Sequence, residues 1–254
     1  MYYTAIFQGG GMKGLAFLGA MLALEEKGFI PLRAAGTSVG ALIASLVIAG
    51  YKSKEILDIM EEIDIPSILT SRKLNIKDII SSKGLYSIKP LEDVVAYFCS
   101  EKGIYTFKDT IMNGKIRLKM VTTDIKNKVE VVLPDQLYNY GINLLSFPVS
   151  KAVSMSSVYP GYFKPIQLNG GTFIDGGLVN NFPYSVFDYE KKDLVIGFVL
   201  QKNKIKNIPS HIKQLTIDTR GFKTLDFKMS KEKQVELINI GYRDALNFLK
   251  ELAI

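Results

Sequence analysis

The sequence predicts an α/β fold in which a mainly parallel sheet is covered by helices, and three features predict it. The first 50 residues hold two strand-loop-helix units back to back, the arrangement that builds parallel sheets. Leu194–Leu200 is a continuous apolar run of the kind carried by a central strand buried on both faces. A length of 254 residues with 47% hydrophobic composition suffices for one sizeable core, so a single domain over residues 1–254 is expected.

Each element has its own local reason. Tyr2–Phe7 is a short β-branched and aromatic run that meets a glycine cluster. Met12–Lys27 is rich in Leu, Ala, Met and Glu and stops at Gly28, as a helix does. A segment near Leu32–Ala35 enters Gly36-Thr37-Ser38-Val39-Gly40, and Ala41–Ala49 follows as a buried helix ended by Gly50. Ser53–Ile63 reads as an amphipathic helix with Ser53 as N-cap and Pro66 beyond its end, and Pro90–Ser100 opens with Pro at the first helical position. Ile116–Ile125 and Lys128–Leu133 form a hairpin around Lys126-Asn127, and a short helix, Val149–Ser157, follows Pro148. Asn169-Gly170 is the strongest hairpin signal in the chain and delivers its second strand into Asp175-Gly176-Gly177. Gln201–Ser210 reads as a Lys- and Asn-rich loop. The last helix, Ser230–Leu252, places Val235, Ile238, Tyr242, Ala245, Leu246, Leu249 and Leu252 on one face.

Composition removes several classes of function. With one Cys and one His in the chain, there is no intramolecular disulfide, zinc cluster or histidine-based metal site, and no metal is expected. The apolar stretches Leu15–Leu24 and Val39–Ala49 fall short of the roughly 20 residues of a membrane span. The N-terminus lacks a basic region followed by a cleavable apolar stretch, so no signal peptide is expected and a cytoplasmic location follows.

The chemistry sits in three glycine-flanked motifs. Gly36-x-Ser38-x-Gly40 between a strand and a helix is a nucleophile-elbow pattern: the glycines permit a sharp turn that leaves the Ser hydroxyl at a helix N-terminus. Gly9-Gly10-Gly11-Met12-Lys13-Gly14 also joins a strand to a helix, so its N–H groups are free to point at an anion. A nucleotide phosphate is a poor fit, because Lys13 is followed by Gly14 rather than Ser or Thr and no acidic residue follows the second strand; no cofactor is expected. If the two strands are neighbours, the loop becomes an oxyanion hole for Ser38. A serine nucleophile needs a base, and the supply is His211 or a carboxylate. Asp175 projects from a strand end before two glycines; His211 fits the Ser, Asp, His order but lies in a polar stretch with nothing to fix it.

These residues resemble the patatin-like phospholipases, lipid acyl hydrolases that use a Ser-Asp dyad. GGGMKG (9–14), GTSVG (36–40) and DGG (175–177) occur in the family's order, the block from Ser156 to Pro165 looks like the Ser-containing stretch that precedes the last motif, and GLYSIKPLEDV (84–94) and TLDF (224–227) are similar to bacterial members. The resemblance implies a three-layer α/β/α sandwich around a mainly parallel sheet, Ser38 as nucleophile and Asp175 as general base. It also implies Gly9, Gly10, Gly11, Met12, Lys13 and Gly14 as the oxyanion loop, with Gly36, Gly40, Gly176 and Gly177 shaping the elbow and the dyad motif. One departure is Lys13, where many members carry Arg: the charge is kept but the bidentate fork is lost.

The expected substrate is therefore a phospholipid, lysophospholipid or other acyl ester. The net charge of +7 suits peripheral contact with an anionic membrane surface, for which Lys202, Lys204, Lys206, Lys213, Lys228, Lys231 and Lys233 are the candidates; no nucleic acid is expected. Tyr3, Tyr51, Tyr86, Tyr97 and Tyr105 are candidates for lining an acyl site or filling core. Two alternatives stand beside this: a soluble carboxylesterase or thioesterase, and a non-catalytic lipid- or phosphate-binding protein using the glycine loop alone.

Overall fold

In a computed structural model, which describes residues 1–62, 86–190 and 192–252, the chain builds an α/β sandwich around a mixed, mostly parallel sheet. In chain order the described elements begin with β1 (Tyr2–Phe7), α1 (Leu15–Glu26), β2 (Ile30–Thr37), α2 (Val39–Ala49) and α3 (Ser53–Glu62). Next come α4 (Lys89–Glu101), β3 (Ile111–Met112), β4 (Lys115–Ile116), β5 (Leu118–Asp124), β6 (Val129–Leu133) and α5 (Val149–Ser157). The chain ends with β7 (Ile166–Leu168), β8 (Gly171–Asp175), β9 (Val195–Val199), β10 (Ile212–Thr216) and α6 (Lys231–Glu251). The expected Ile63, Pro66, Gly84 and Leu85 lie outside the described residues. The main sheet runs β10-β9-β1-β2-β5-β8-β7, with β6 paired to β5; β10, β9, β1, β2 and β5 are parallel, and β6, β7 and β8 join antiparallel.

Register decides where the site forms. Phe7 pairs with Gly36 on one side and Phe198 on the other, so the chain leaves β1, β2 and β9 at the same edge. Thr37 pairs with Val121, and Asp175 at the end of β8 pairs with Thr122. An antiparallel strand thereby ends level with the elbow and brings a residue 137 positions away beside Ser38 (175 − 38).

The core follows the pleat. Ala5, Phe7, Ala34, Phe198 and Leu215 face α1, α2 and α5, with Phe7 stacked on Phe198 at 4.6 Å and packed on Phe17 at 5.3 Å. Both α1 and α2 are apolar nearly all round because each is covered on two sides. The opposite pleat (Ile6, Ala35, Val195, Val199, Ile212) is covered by Phe182 and Phe187 of the segment that follows β8. Arg33 lies over the Phe187 ring at 5.0 Å and pairs with Asp193 at 3.0 Å, tying that segment to β2.

Two local expectations shift and one strand is added. Ser53 gives its hydroxyl to Glu25 Oε1 of α1 (2.8 Å) rather than capping α3. The strand β10 falls in a stretch whose alternation, Ile212 and Leu215 among Lys, Gln and Thr, is weak on its own; parallel pairing to β9 makes it a strand. Of the expected face of the last helix, Ala245 and Leu249 are buried and Ile238, Tyr242, Leu246 and Leu252 pack on the core, while Val235 is exposed; Leu237, Gly241 and Phe248 are also buried. The buried side extends towards Leu237 and Gly241, where Gly19 of α1 and Gly241 of α6 let the two helices meet backbone to backbone: a Cβ on Gly241 would fall 1.9 Å from the Ala16 carbonyl oxygen.

Asp124 is a buried carboxylate that locks β8 in place. It accepts from the Thr172 N–H (3.1 Å), the Tyr140 hydroxyl (2.8 Å), the Asn127 side chain (2.7 Å) and the Lys126 N–H (3.0 Å). Burial alone would raise its pKa, but these four donors outweigh burial and lower it. Stability from this group is therefore present above the ordinary carboxylate range and is lost as pH falls through its depressed value. Asp124→Ala is expected to cost about 2 kcal/mol or more in urea denaturation at neutral pH, and the gap to the parent should narrow in acid.

Candidate active site

At the elbow, Ser38 has φ 56° and ψ −123°, a conformation that costs a non-glycine residue about 1–3 kcal/mol. The surroundings enforce it: a Cβ on Gly36 would sit 2.2 Å from Gly40, and one on Gly40 would sit 2.4 Å from the Phe7 carbonyl oxygen. Ser38 occupies the N-cap position of α2, yet its side chain makes no capping hydrogen bond, so the hydroxyl is left for other work. Its N–H donates to Ser156 Oγ (3.0 Å), and the Ser156 hydroxyl donates to the Val121 carbonyl (2.6 Å). Ser156 is fully buried at that crossing of α5, β5 and the elbow. Thr37 adds a bond from Oγ1 to the Asn180 carbonyl (2.9 Å).

The glycine loop lies at the same edge and is clamped from two directions. The Gly9 N–H donates to the Asn181 carbonyl (2.9 Å), and Asn181 Nδ2 returns a bond to the Gly9 carbonyl (3.2 Å). The Met12 N–H donates to the Thr224 carbonyl (2.9 Å), and the Lys13 N–H to the Gly10 carbonyl (3.2 Å). Of the six loop residues, Gly9, Met12 and Lys13 thus spend their N–H groups on the protein. The Gly10 and Gly11 N–H groups have no acceptor among the described residues. Gly11 has φ +54°, and a Cβ there would fall 2.2 Å from the Thr224 carbonyl oxygen, so the loop can close down only on glycine. The half-buried Lys13 side chain forms no ion pair among the described residues.

Asp175 is 4% exposed. Its N–H donates to the Val158 carbonyl (2.8 Å), and its Oδ1 accepts from the Gly177 N–H (2.7 Å). Burial raises its pKa above the usual carboxylate value; the Ser38 hydroxyl and the Gly177 N–H beside it pull the other way and do not cancel the rise. A carboxylate so placed is a better base than one in water.

Ser38, Asp175, Gly10 and Gly11 open into one cavity of about 430 Å³. Val39, Leu42, Ile43 and Leu46, one face of α2, carry its wall away from Ser38, so the apolar lining extends about 10 Å along that helix. Ile56 of α3 and Val95 of α4 close the far side. The Ser157 hydroxyl is buried at the lining and has no partner among the described residues. The arrangement suits a substrate with one reactive polar group and a long apolar tail.

Other expected residues lie elsewhere. His211 is exposed at the start of β10, packed against the Tyr189 ring at 5.5 Å. The next residue, Ile212, pairs with Val195, which pairs with Thr4, so His211 belongs to the edge where the parallel strands begin, opposite Ser38. His211→Ala is expected to leave kcat/KM within about twofold of the parent, the range of an exposed substitution remote from a site. None of the five candidate tyrosines lines the cavity: Tyr3 and Tyr51 are buried in the core, Tyr86 packs on Tyr162 at 4.9 Å, and Tyr97 and Tyr105 are exposed. The expected lysines do not form one patch, since Lys213 sits on β10 two residues past His211 and Lys204 pairs with Glu251 at 3.9 Å. Among the described residues no helix is long and apolar enough to cross a membrane, and no cluster of His, Cys, Asp or Glu would hold a metal ion.

Asn181 is a site residue that no motif included, and Ser156 opens the Ser156–Pro165 block without a role having been read for it. The signal for Ser156 is four serines (Ser150, Ser154, Ser156 and Ser157) in one short helix; for Asn181 it is an Asn pair a few residues past Asp175.

Comparison with known proteins bears on this geometry. The family model of patatin-like phospholipases matches residues 5–188. The Bacillus subtilis protein YqhO is 36% identical across 99% of both chains. A probable lipid hydrolase, 463L, of invertebrate iridescent virus 6 is 29% identical over 81% of this chain and 67% of its own. Among solved structures, VipD from Legionella pneumophila superposes with a TM-score of 0.66 at 15% identity, covering 98% of this chain and 67% of VipD, a likeness of fold.

Proposed function

The chain belongs to the patatin-like phospholipase family and is an ester-bond hydrolase; on that premise we propose that it is a lipid acyl hydrolase working through an acyl-Ser38 intermediate, with Asp175 as general base. The observation that carries this reading is the meeting of Ser38, a buried Asp175 and two unspent glycine N–H groups in one apolar cavity.

The steps follow from the atoms. The acyl tail lies along α2, and the ester carbonyl carbon comes to Ser38 Oγ. As Oγ attacks, its proton passes to Asp175, and the carbonyl oxygen, now carrying negative charge, takes the Gly10 and Gly11 N–H bonds. Collapse breaks the bond to the alcohol, which leaves with the proton from Asp175. Water then attacks the acyl-serine, Asp175 takes a proton from it, and the second collapse returns that proton to Ser38 Oγ and frees the fatty acid. Ser156 acts before any of this, by holding the Ser38 N–H and so fixing the elbow. Asp175 is suited to the work because burial keeps its proton affinity up while the Gly177 N–H fixes one oxygen.

The proposed substrates are phospholipids or lysophospholipids, since the cavity is apolar well beyond what a short ester needs. Labelling with a fluorophosphonate and locating the modified residue tests the mechanism: an adduct on Ser38 is expected, and an active protein with no adduct there would refute it. Comparing phospholipid vesicles with p-nitrophenyl butyrate separates a lipid hydrolase from a soluble carboxylesterase.

A further inference from the structure

The mouth of the cavity is ringed by apolar side chains held out in water. Tyr159, Leu178 and Leu225 line the cavity and are 42%, 58% and 38% exposed; Val179, next to Leu178, is 54% exposed. They come from three separate segments: the turn after α5, the turn after Asp175, and the strap that leads into α6. Exposed apolar groups scattered singly need no explanation, but convergence around one opening makes a patch. The ring is braced from below. The strap is tied to the glycine loop by the Met12 N–H on Thr224, Phe227 packs on Tyr162 at 4.9 Å, and the Val179 N–H donates to the Gly176 carbonyl (3.1 Å).

Three lysines adjoin the lining residues in the chain. Lys164 follows Phe163, a lining residue, and Lys223 and Lys228 flank the strap residues Thr224, Leu225 and Phe227. All three lysines are exposed, and none pairs with an acidic group among the described residues; Asp226, half-buried, is the strap's acidic residue. Of the three, Lys228 is among the lysines named from the sequence, while Lys164 and Lys223 are not.

We infer that this rim is a bilayer-docking surface: Tyr159, Leu178, Val179 and Leu225 enter the boundary of headgroups and acyl chains of an anionic phospholipid membrane, and Lys164, Lys223 and Lys228 meet the lipid phosphates. The inference rests on the lipid reading of the site. Two features select a membrane over a protein partner. The apolar surface is continuous from the rim into the cavity, so a lipid can pass from the leaflet to Ser38 without its tail crossing water. A protein seated on the rim would cover the entrance. The three exposed lysines beside the rim, within a chain of net charge +7, favour an anionic surface.

The test uses the full chain in an inert Ser38→Ala form, sedimented with phosphatidylglycerol-phosphatidylcholine vesicles and with phosphatidylcholine vesicles. The Ser38→Ala protein is expected to bind the anionic vesicles more tightly. Adding Val179→Asp should weaken that binding by about tenfold. Adding Lys164→Gln, Lys223→Gln and Lys228→Gln together should weaken it by about tenfold or more and remove the preference for anionic vesicles. In the active chain the same surface changes should leave p-nitrophenyl butyrate hydrolysis within about twofold while vesicle hydrolysis falls with binding. Unchanged binding in both variants, or no vesicle binding by the parent, overturns the docking surface. A parent that binds vesicles with the expected variant pattern yet cleaves neither substrate leaves the docking surface standing and removes the hydrolase reading.

Discussion

Ser38→Ala is expected to lower kcat/KM for ester hydrolysis by about 10⁴-fold or more, with the remaining rate owed to the glycine N–H groups and the cavity. The loss should come without unfolding. The Ser38 N–H, which is what Ser156 holds, survives the change, and the side chain makes no capping bond to lose. A second variant separates chemistry from backbone strain. Ser38→Gly removes the nucleophile and also relieves the φ of 56°, so its stability should exceed that of Ser38→Ala by about 1 kcal/mol. Thermal melts and rates on a soluble ester read the two quantities independently. A Ser38→Ala protein that folds and keeps its rate would remove the nucleophile from the mechanism.

Asp175→Asn is expected to lower kcat/KM by about 10³-fold or more while leaving Tm unchanged or raised. The opposite signs have one cause. Burial raises the pKa of Asp175, so the folded state prefers it protonated; the stability associated with that preference is present at low pH and is lost as pH rises through the raised value. At neutral pH the ionised carboxylate therefore costs stability, and a neutral amide of the same shape does not carry that cost while its oxygen still accepts from Gly177. In the parent, the acid limb of the kcat/KM profile should lie above the ordinary aspartate range, since the base works ionised and its pKa is raised. A profile falling at the usual carboxylate value, or an Asp175→Asn enzyme of near-parent rate, would exclude this base.

The parts of the fold written in local pattern were legible in the sequence. Tyr2–Phe7 and Val149–Ser157 appear with the expected bounds, and Asn169 and Gly170 both take positive φ, 43° and 83°, as a tight hairpin turn requires. What escaped depends on neighbours. The strand β10 exists because β9 offers it an edge, and the close approach of α6 to α1 depends on two glycines on different helices, which periodicity alone does not show. The same division holds at the site. Ser38, Asp175 and the glycine loop carry glycine signatures, because sharp turns demand them. Ser156 and Asn181 are visible through their partners: a serine in a helix becomes a brace when the elbow N–H arrives at 3.0 Å, and an Asn becomes a clamp when Gly9 sits across from it. The narrowing of the loop to Gly10 and Gly11 is of this kind too, since it follows from which N–H groups other segments have already taken.

The sheet order carries a consequence for the growing chain. Strand β1 is made first, yet it lies between β2 and β9, so one of its edges stays bare until residues 195–199 leave the ribosome. Gly9 waits 172 residues for its Asn181 clamp, and Ser38 waits for Asp175 on a strand that must also find β5. No product of interrupted translation that stops short of β8 holds Ser38 and Asp175 together, so under the proposed mechanism a truncated chain hydrolyses no ester.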